Sequence, residues 1–289
     1  MSSDALSHLS PETKPVLAQS LEERINWVRR SRWIAYPQAS AILDRLEDML
    51  AHPKQHRMPG MRLIGDSNSG KSRLIEEFTR RHQPNDNYGG DHIICPVLAI
   101  EAPPAAKETD LYRQILTRLF KHVPSSPGAM RDDAIDILRA IQVKVLIFDE
   151  LSNMVASPNL KQRQSLNAIK YLANTLEICI VGVGTKDLER VVLLDPQLKN
   201  RLRPMELPPW KLSKESRQLM MSFETLLPFP EPSDLRSSQT TGFILAKAGG
   251  LIGEVSELVT AAAVYALKKG RPKIDEDAIL NCGYQPPDM

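Results

Sequence analysis

The sequence has little cysteine: Cys95, Cys179 and Cys282 are odd in number and far apart in 289 residues. They form no CxxC pair and no metal-ligand spacing, which excludes a disulfide framework or a zinc site and predicts buried free thiols in a reduced, cytosolic protein. Charge of either sign is barely in excess. A formal net charge of +2 rules out a strong overall field, so a nucleic-acid surface has to come from local clusters of Lys and Arg. No apolar run approaches the roughly 18 residues of a membrane span. The opening "MSSDALSHLSPETKPV" has no basic segment followed by an apolar one, so neither a leader nor a membrane partner is expected. Internal repeats and low-complexity tracts are also missing. What is present, 42% hydrophobic and 25% charged residues, is the composition of a globular chain with one sizeable core and a smaller attachment.

Residues 1–20 are polar and carry Pro11 and Pro15, which predicts a flexible N-terminal arm. Over 21–56, Ile25, Val28, Ile34, Ile42, Leu46 and Leu50 recur at helical spacing with a break at Pro37, giving an N-terminal extension of two helices. The first holds "RINWVRRSRW", where Arg24, Arg29, Arg30 and Arg32 lie among Trp27 and Trp33. That cluster reads either as a grip for nucleic acid or an acidic partner, or as a solvated helix face. From 57 to 210, the apolar runs "MRLIG", "HIICPVLAIEA", "VKVLIFDE", "LEICIVGVGT" and "PMELPP" alternate with helical patterns, the signature of an α/β fold with a parallel sheet covered on both faces. Residues 211–289 lack strand-like runs and predict a small, all-helical C-terminal domain, with Val255, Leu258, Val259 and Ala262 on one face of a helix.

"GDSNSGKS", Gly65 to Ser72, follows a strand and opens the helix "SRLIEEFTRR", the context that G-x-x-x-x-G-K-S/T requires. Such a loop wraps phosphate. Small residues let successive N–H groups and a helix N-terminus approach the β- and γ-phosphates of ATP, so Gly65, Asn68, Ser69, Gly70, Lys71, Ser72 and Arg73 are the candidate nucleotide-binding residues. Lys71 brings a positive charge and the Ser72 hydroxyl a ligand for Mg²⁺; the competing reading is an ordinary glycine-containing turn. "VKVLIFDE" places Asp149 and Glu150 at a strand's carboxyl edge, Asp149 as a Mg²⁺ ligand and Glu150 as the general base for water, or both as an exposed strand-end pair. Thr185, ending "LEICIVGVGT", contacts the γ-phosphate or water, or caps a helix. Arg201 and Arg203 lie just before the last apolar run; one of them reaches a neighbouring subunit's γ-phosphate, or both are surface charges.

"GDSNSGKS", "VLIFDE", "GVGT" and "LKNRLRP", followed by a helical tail, resemble the AAA+ P-loop ATPases. Over nearly the whole chain, "RINWVRRSRWIAYPQASAILDRLEDML", "PPAAKETDLYRQIL" and "GGLIGEVSELVTAAAVYAL" look like the TniB/TnsC family of transposition ATPases. The resemblance implies a parallel sheet flanked by helices with a C-terminal helical lid. It further implies an ATP hydrolase, slow or dependent on assembly, that forms a homo-oligomeric ring or filament on double-stranded DNA without reading its sequence. Such a protein recruits the transposase and, with a target-selection protein, chooses the insertion site; the alternative is a helicase-loader or clamp-loader-like ATPase that remodels a protein client. Carried onto this chain, the resemblance makes Lys71, Glu150, Thr185 and Arg201 catalytic, sets Tyr36 and Pro37 near the adenine, and points to Lys107, Lys121 and Arg131 for DNA phosphates, where each also reads as a solvated surface charge. One departure stands out: where many AAA+ lids carry an arginine after a helix-opening glycine, Gly253 is followed by Glu254.

Overall fold

The computed structural model describes residues 6–104 and 107–286, and it divides into two compact units. One unit comprises residues 38–67 and 71–207 and holds a five-stranded, all-parallel sheet in the order β2-β3-β4-β1-β5. The strands are β1 (Gly60–Gly65), β2 (Val97–Glu101), β3 (Val145–Asp149), β4 (Cys179–Gly184) and β5 (Leu202–Leu207). Every residue of β1 and β4 is buried, and so is β3 up to Asp149. Strands this apolar are stable only under helices on both faces. Those helices are most of α2 (Pro37–Ala51), then α3 (Lys71–Arg81), α4 (Glu108–Arg118), α5 (Pro127–Ala140), α6 (Asn159–Leu176), α7 (Asp187–Leu193) and α8 (Pro196–Arg201). Leu63, Phe148, Val181 and Leu172 are at 0% exposure in this core. The sheet and its register match the predicted α/β class. Ile64 pairs with Gly184 and Phe148 with Gly182, so the carboxyl ends of β1, β3 and β4 emerge side by side at one edge.

The other unit comprises residues 6–37, the loop tip Asn68–Gly70 and 208–286. It is helical, with α1 (Leu21–Arg29), α9 (Lys214–Glu224), α10 (Ser238–Lys247), α11 (Ile252–Lys268) and α12 (Glu276–Asn281). Val255, Leu258, Val259, Ala262 and Ala266 of α11 are buried, and α1 packs against that helix. Ser20 and Glu23 form a reciprocal capping box at the start of α1.

Two expectations about the N-terminus change. The described part of the arm is not loose: Leu9, Thr13 and Val16 are buried, Ser10 N donates to the Thr225 carbonyl at 2.9 Å, and a short 3₁₀ turn spans Lys14–Ala18. Residues 1–5 lie outside the described residues. The 21–56 extension is not one body either, because α1 belongs with the C-terminal helices whereas α2 buries Ile42, Leu43, Leu46 and Met49 in the α/β unit. The basic-aromatic cluster of α1 is largely engaged within its own unit. The Arg30 and Arg32 guanidiniums lie 5.4 and 4.1 Å from the centre of the Trp27 ring, whose Nε1 donates to the Leu226 carbonyl, and Arg24 donates to the Pro228 carbonyl. Among the described residues, no single helix is long and apolar enough to cross a membrane.

Candidate functional site

β1 ends at Gly65 and α3 begins at Lys71, so five residues make the turn between them. Asn68 and Gly70 take left-handed conformations, at φ 58° and 92°. A side chain at Gly70 would be strained by that φ alone, and its Cβ would also stand 2.9 Å from Ile252 Cγ2. Lys71 is 5% exposed, and its Nζ donates to the carbonyls of Gly65 and Asp66, each at 2.9 Å. Burial lowers the Lys71 pKa; the nearby carboxylates of Glu150, Asp149 and Asp66 work against that shift. Ser69 is buried and its Oγ has no partner. A buried cation and an orphaned hydroxyl in a glycine-bounded turn are the features expected of a cradle for an anionic ligand.

The acidic pair lies at the same sheet edge. Asp149 ends β3 and its Oδ1 accepts from Glu150 N at 2.9 Å; Glu150 follows at φ 53°, left-handed for a residue that is not glycine. Such a conformation costs about 1–2 kcal/mol and recurs at functional sites. Ser72, Asp149 and Glu150 line one groove of about 670 Å³ together with Glu76, Thr79 and Glu101. Glu101 is a site residue that sequence reasoning missed. It ends β2 directly opposite Asp149, and the acid closing the run "VLAIE" was its only trace in the sequence.

Thr185 leaves β4 half-buried. Its N–H donates to Ser152 Oγ at 3.2 Å, and the 3₁₀ helix of Ser152 (Leu151–Ala156) directly follows the acidic pair. No side chain caps α7, so helix capping is not the role of the Thr185 hydroxyl. Arg73 is occupied on α3 by Glu76 at 2.7 Å. In the helical unit Tyr36 is 7% exposed, stacks edge-on against Trp210 at 5.1 Å, and has its hydroxyl pushed up to about 12 by burial. A Cβ on Gly70 would lie 3.8 Å from that hydroxyl. Pro37 is exposed at the start of α2.

Arg201 is placed at the opposite, amino edge of the sheet. Instead of reaching outward it is 9% exposed, with Nε donating to the Met58 carbonyl and Nη1 to Asn174 Oδ1, both at 2.8 Å. Its Nη2 is buried without a partner, and burial, then the nearby Arg57, lowers its pKa. Arg201 lines a cavity of about 250 Å³ with His56, Arg57, Lys170, Asn174 and Gln197. Arg203, two residues on, is exposed.

The three candidates for DNA are not gathered at the phosphate-binding groove. Lys107 is exposed just before α4. Lys121 lies between α4 and α5 in a separate groove that also holds His92, His122, Asp133 and Asp136. Arg131 is half-buried, paired with Asp132 at 3.1 Å and 5.7 Å from the centre of the Tyr171 ring.

The family model described as "Bacterial TniB protein" matches residues 24–212. No curated protein matches the chain significantly. Among solved structures, the ORC1 protein of Aeropyrum pernix in complex with DNA is 18% identical, covering 90% of this chain and 68% of that one at a TM-score of 0.64. The ORC2 protein of the same organism, in ADPNP-ADP complexes, is 15% identical and covers 88% and 70% at 0.62. The Thermotoga maritima RuvB Holliday junction branch migration motor is 14% identical and covers 89% and 72% at 0.53. With a family model over most of its length and a parallel sheet like that of these neighbours, the chain belongs to the TniB family and has the AAA+ P-loop ATPase fold.

Proposed function

We propose that this protein is an ATP hydrolase that assembles on double-stranded DNA without reading its sequence and regulates transposition by helping to select the target and recruit the transposase. The observation that carries the nucleotide part is the convergence at one sheet edge of Ser72, buried Lys71 and the strained Asp149–Glu150 turn. Ser72 and Asp149 line one groove and offer the hard oxygen donors that suit Mg²⁺, which when bound neutralises charge on the β- and γ-phosphate oxygens. Lys71 adds a fixed positive charge to the same oxygens. Glu150 takes a proton from the attacking water, whose oxygen bonds to the γ-phosphorus as the bond to the bridging oxygen breaks. ADP leaves with that oxygen, and the proton passes on to phosphate or solvent. Thr185, tied to the acidic turn through Ser152, orients that water.

An arginine acting across a subunit contact fits the amino edge of the sheet. Arg203 is the better candidate, since two of the three Arg201 nitrogens are committed inside their own subunit. The DNA part draws on the family and on a neighbour solved with DNA, with Lys107 and Lys121 the exposed cations; Arg131 is partly neutralised by Asp132. Binding through phosphates alone should weaken steeply with salt.

DNA co-sedimentation with electron microscopy, comparing ATP, ADP and no nucleotide at two salt concentrations, tests the reading. Ordered, salt-sensitive particles only with ATP are expected, and Glu150→Gln should hold them on DNA longer. Absence of DNA binding in every state would favour the protein-remodelling alternative. Lys71→Ala should abolish nucleotide binding, and full ATP affinity in that variant would overturn the assignment of the loop.

A further inference from the structure

The loop tip Asn68–Gly70 belongs to the helical unit, and there it meets the start of α11. Gly253 N donates to the Asn68 carbonyl at 2.9 Å, and Asn68 Nδ2 donates to Glu254 Oε1 at 2.6 Å. A Cβ on Gly253 would stand 2.9 Å from the Asn68 carbonyl oxygen and 3.1 Å from its Cβ, so the approach needs glycine. Glu254 is 4% exposed, and its second oxygen accepts from the Tyr284 hydroxyl at 2.7 Å. Burial, and then this bond, push the Tyr284 pKa up and keep the hydroxyl a donor. Among the described residues no cation pairs with Glu254; two neutral donors hold its oxygens, and its place in the first turn of α11 adds the favourable end of the helix dipole. The left-handed Asn68 is therefore pinned through its carbonyl and its side chain, both by α11.

We propose that Glu254 is a positioning residue for nucleotide: it holds Asn68, and with it the loop tip, in the shape that receives phosphate, while Tyr284 holds Glu254. The proposal rests on the nucleotide-binding reading of the loop. At the position where the resemblance to AAA+ ATPases leads to the expectation of an arginine, this chain places an acid that grips the loop itself. A carboxylate suits that task because it accepts from both sides at once, which neither a lysine nor an arginine can do.

The test is titration of the full chain with a fluorescent ATP analogue, with thermal melting in the absence of nucleotide as a separate measure of stability. Glu254→Ala should weaken affinity about tenfold, the scale of one lost hydrogen bond to a charged group. Glu254→Gln should recover most of it, since a rotated Asn68 amide and the Tyr284 hydroxyl can both still be bridged, and Tyr284→Phe should fall between. The decisive comparison is Asn68→Ala with and without Glu254→Ala: if Glu254 acts through Asn68, the double variant binds no more weakly than Asn68→Ala alone. Additive losses would overturn the proposal, as would wild-type affinity in both Glu254→Ala and Tyr284→Phe. In either case failure of Lys71→Ala to bind would leave the nucleotide reading standing. Wild-type affinity in Lys71→Ala would remove that reading and this proposal together. Should Glu254→Ala not fold, Tyr284→Phe decides through the same titration: weakened affinity at unchanged melting supports the proposal, and wild-type affinity overturns it.

Discussion

Glu150 combines a proposed chemical role with a conformational cost. Glycine adopts φ 53° freely, so Glu150→Gly should relieve most of the roughly 1–2 kcal/mol held in the turn and raise the melting temperature by about 1–3 °C. The same change removes the proposed base, so steady-state ATP hydrolysis should fall by about two orders of magnitude or more. A variant that melts higher but keeps its turnover would remove Glu150 from the chemistry. A second residue, Glu77, has a simpler role. It is 5% exposed on α3, and hydrogen bonds from Arg80 and Arg81 bring its pKa down to about 2 against burial, which acts the other way. A carboxylate lowered on folding stabilises the protein fully above its unfolded pKa near 4.5, and the contribution is lost as pH falls toward 2. Urea titrations should show Glu77→Gln clearly less stable than wild type at pH 6, with the gap narrowed at pH 3 and closing only as pH falls through the folded pKa near 2. The tight turn between β1 and α3 and the acid pair at the end of β3 were legible at this scale because both are local in sequence. Glu101 and the Ser69 orphan were not, since the first depends on the register of β2 against β3 and the second on burial.

Helical and strand periods predicted which faces are apolar, but a face does not specify its partner. The repeat through α1 and α2 reads as one extension, yet the two helices bury their faces in different units, because Pro37 breaks the pattern and each half finds its own complement. Strands were easier to read: continuous apolar runs between helices have few alternatives to a covered parallel sheet, and all five formed. The end of α4 shows what pattern reading passes over. Leu119 closes the helix and Phe120 follows at φ 54°, left-handed and 93% exposed, at a position where glycine is usual. Its N–H donates to the Thr117 carbonyl at 3.0 Å and the next N–H to the Leu116 carbonyl at 2.9 Å, so the turn is well bonded around an unfavourable residue. Phe120→Gly should therefore stabilise the chain by about 1 kcal/mol, read as a higher denaturant midpoint with an unchanged slope. A loss of stability would mean that the phenyl ring packs against something in solution.

For the whole molecule, the question is whether one chain holds a complete catalytic site. The acids, the lysine and the loop lie at the carboxyl edge of the sheet, while Arg201 and the cationic cavity beside it lie at the amino edge. No movement of a side chain joins the two edges, so the arginine proposed for catalysis has to serve a neighbour's nucleotide, and on that proposal turnover by an isolated chain is expected to be slow. Arg201 and Arg203 are separable by stability. Arg201→Ala leaves the Met58 carbonyl and Asn174 without their donor and should cost about 1–3 kcal/mol, whereas exposed Arg203→Ala should leave melting unchanged. Mixing then tests the proposed action in trans. A Glu150→Gln chain retains its arginines and an Arg203→Ala chain retains its base, so each should hydrolyse ATP poorly alone. Mixed on DNA, they form contacts in which an intact Arg203 faces an intact Glu150, and hydrolysis should return to a substantial fraction of wild type. If the mixture is no faster than its parts, Arg203 does not act across subunits. The same mixture made with Arg201→Ala, judged against that variant's own melting temperature, then shows whether Arg201 is released from Met58 and Asn174 on assembly.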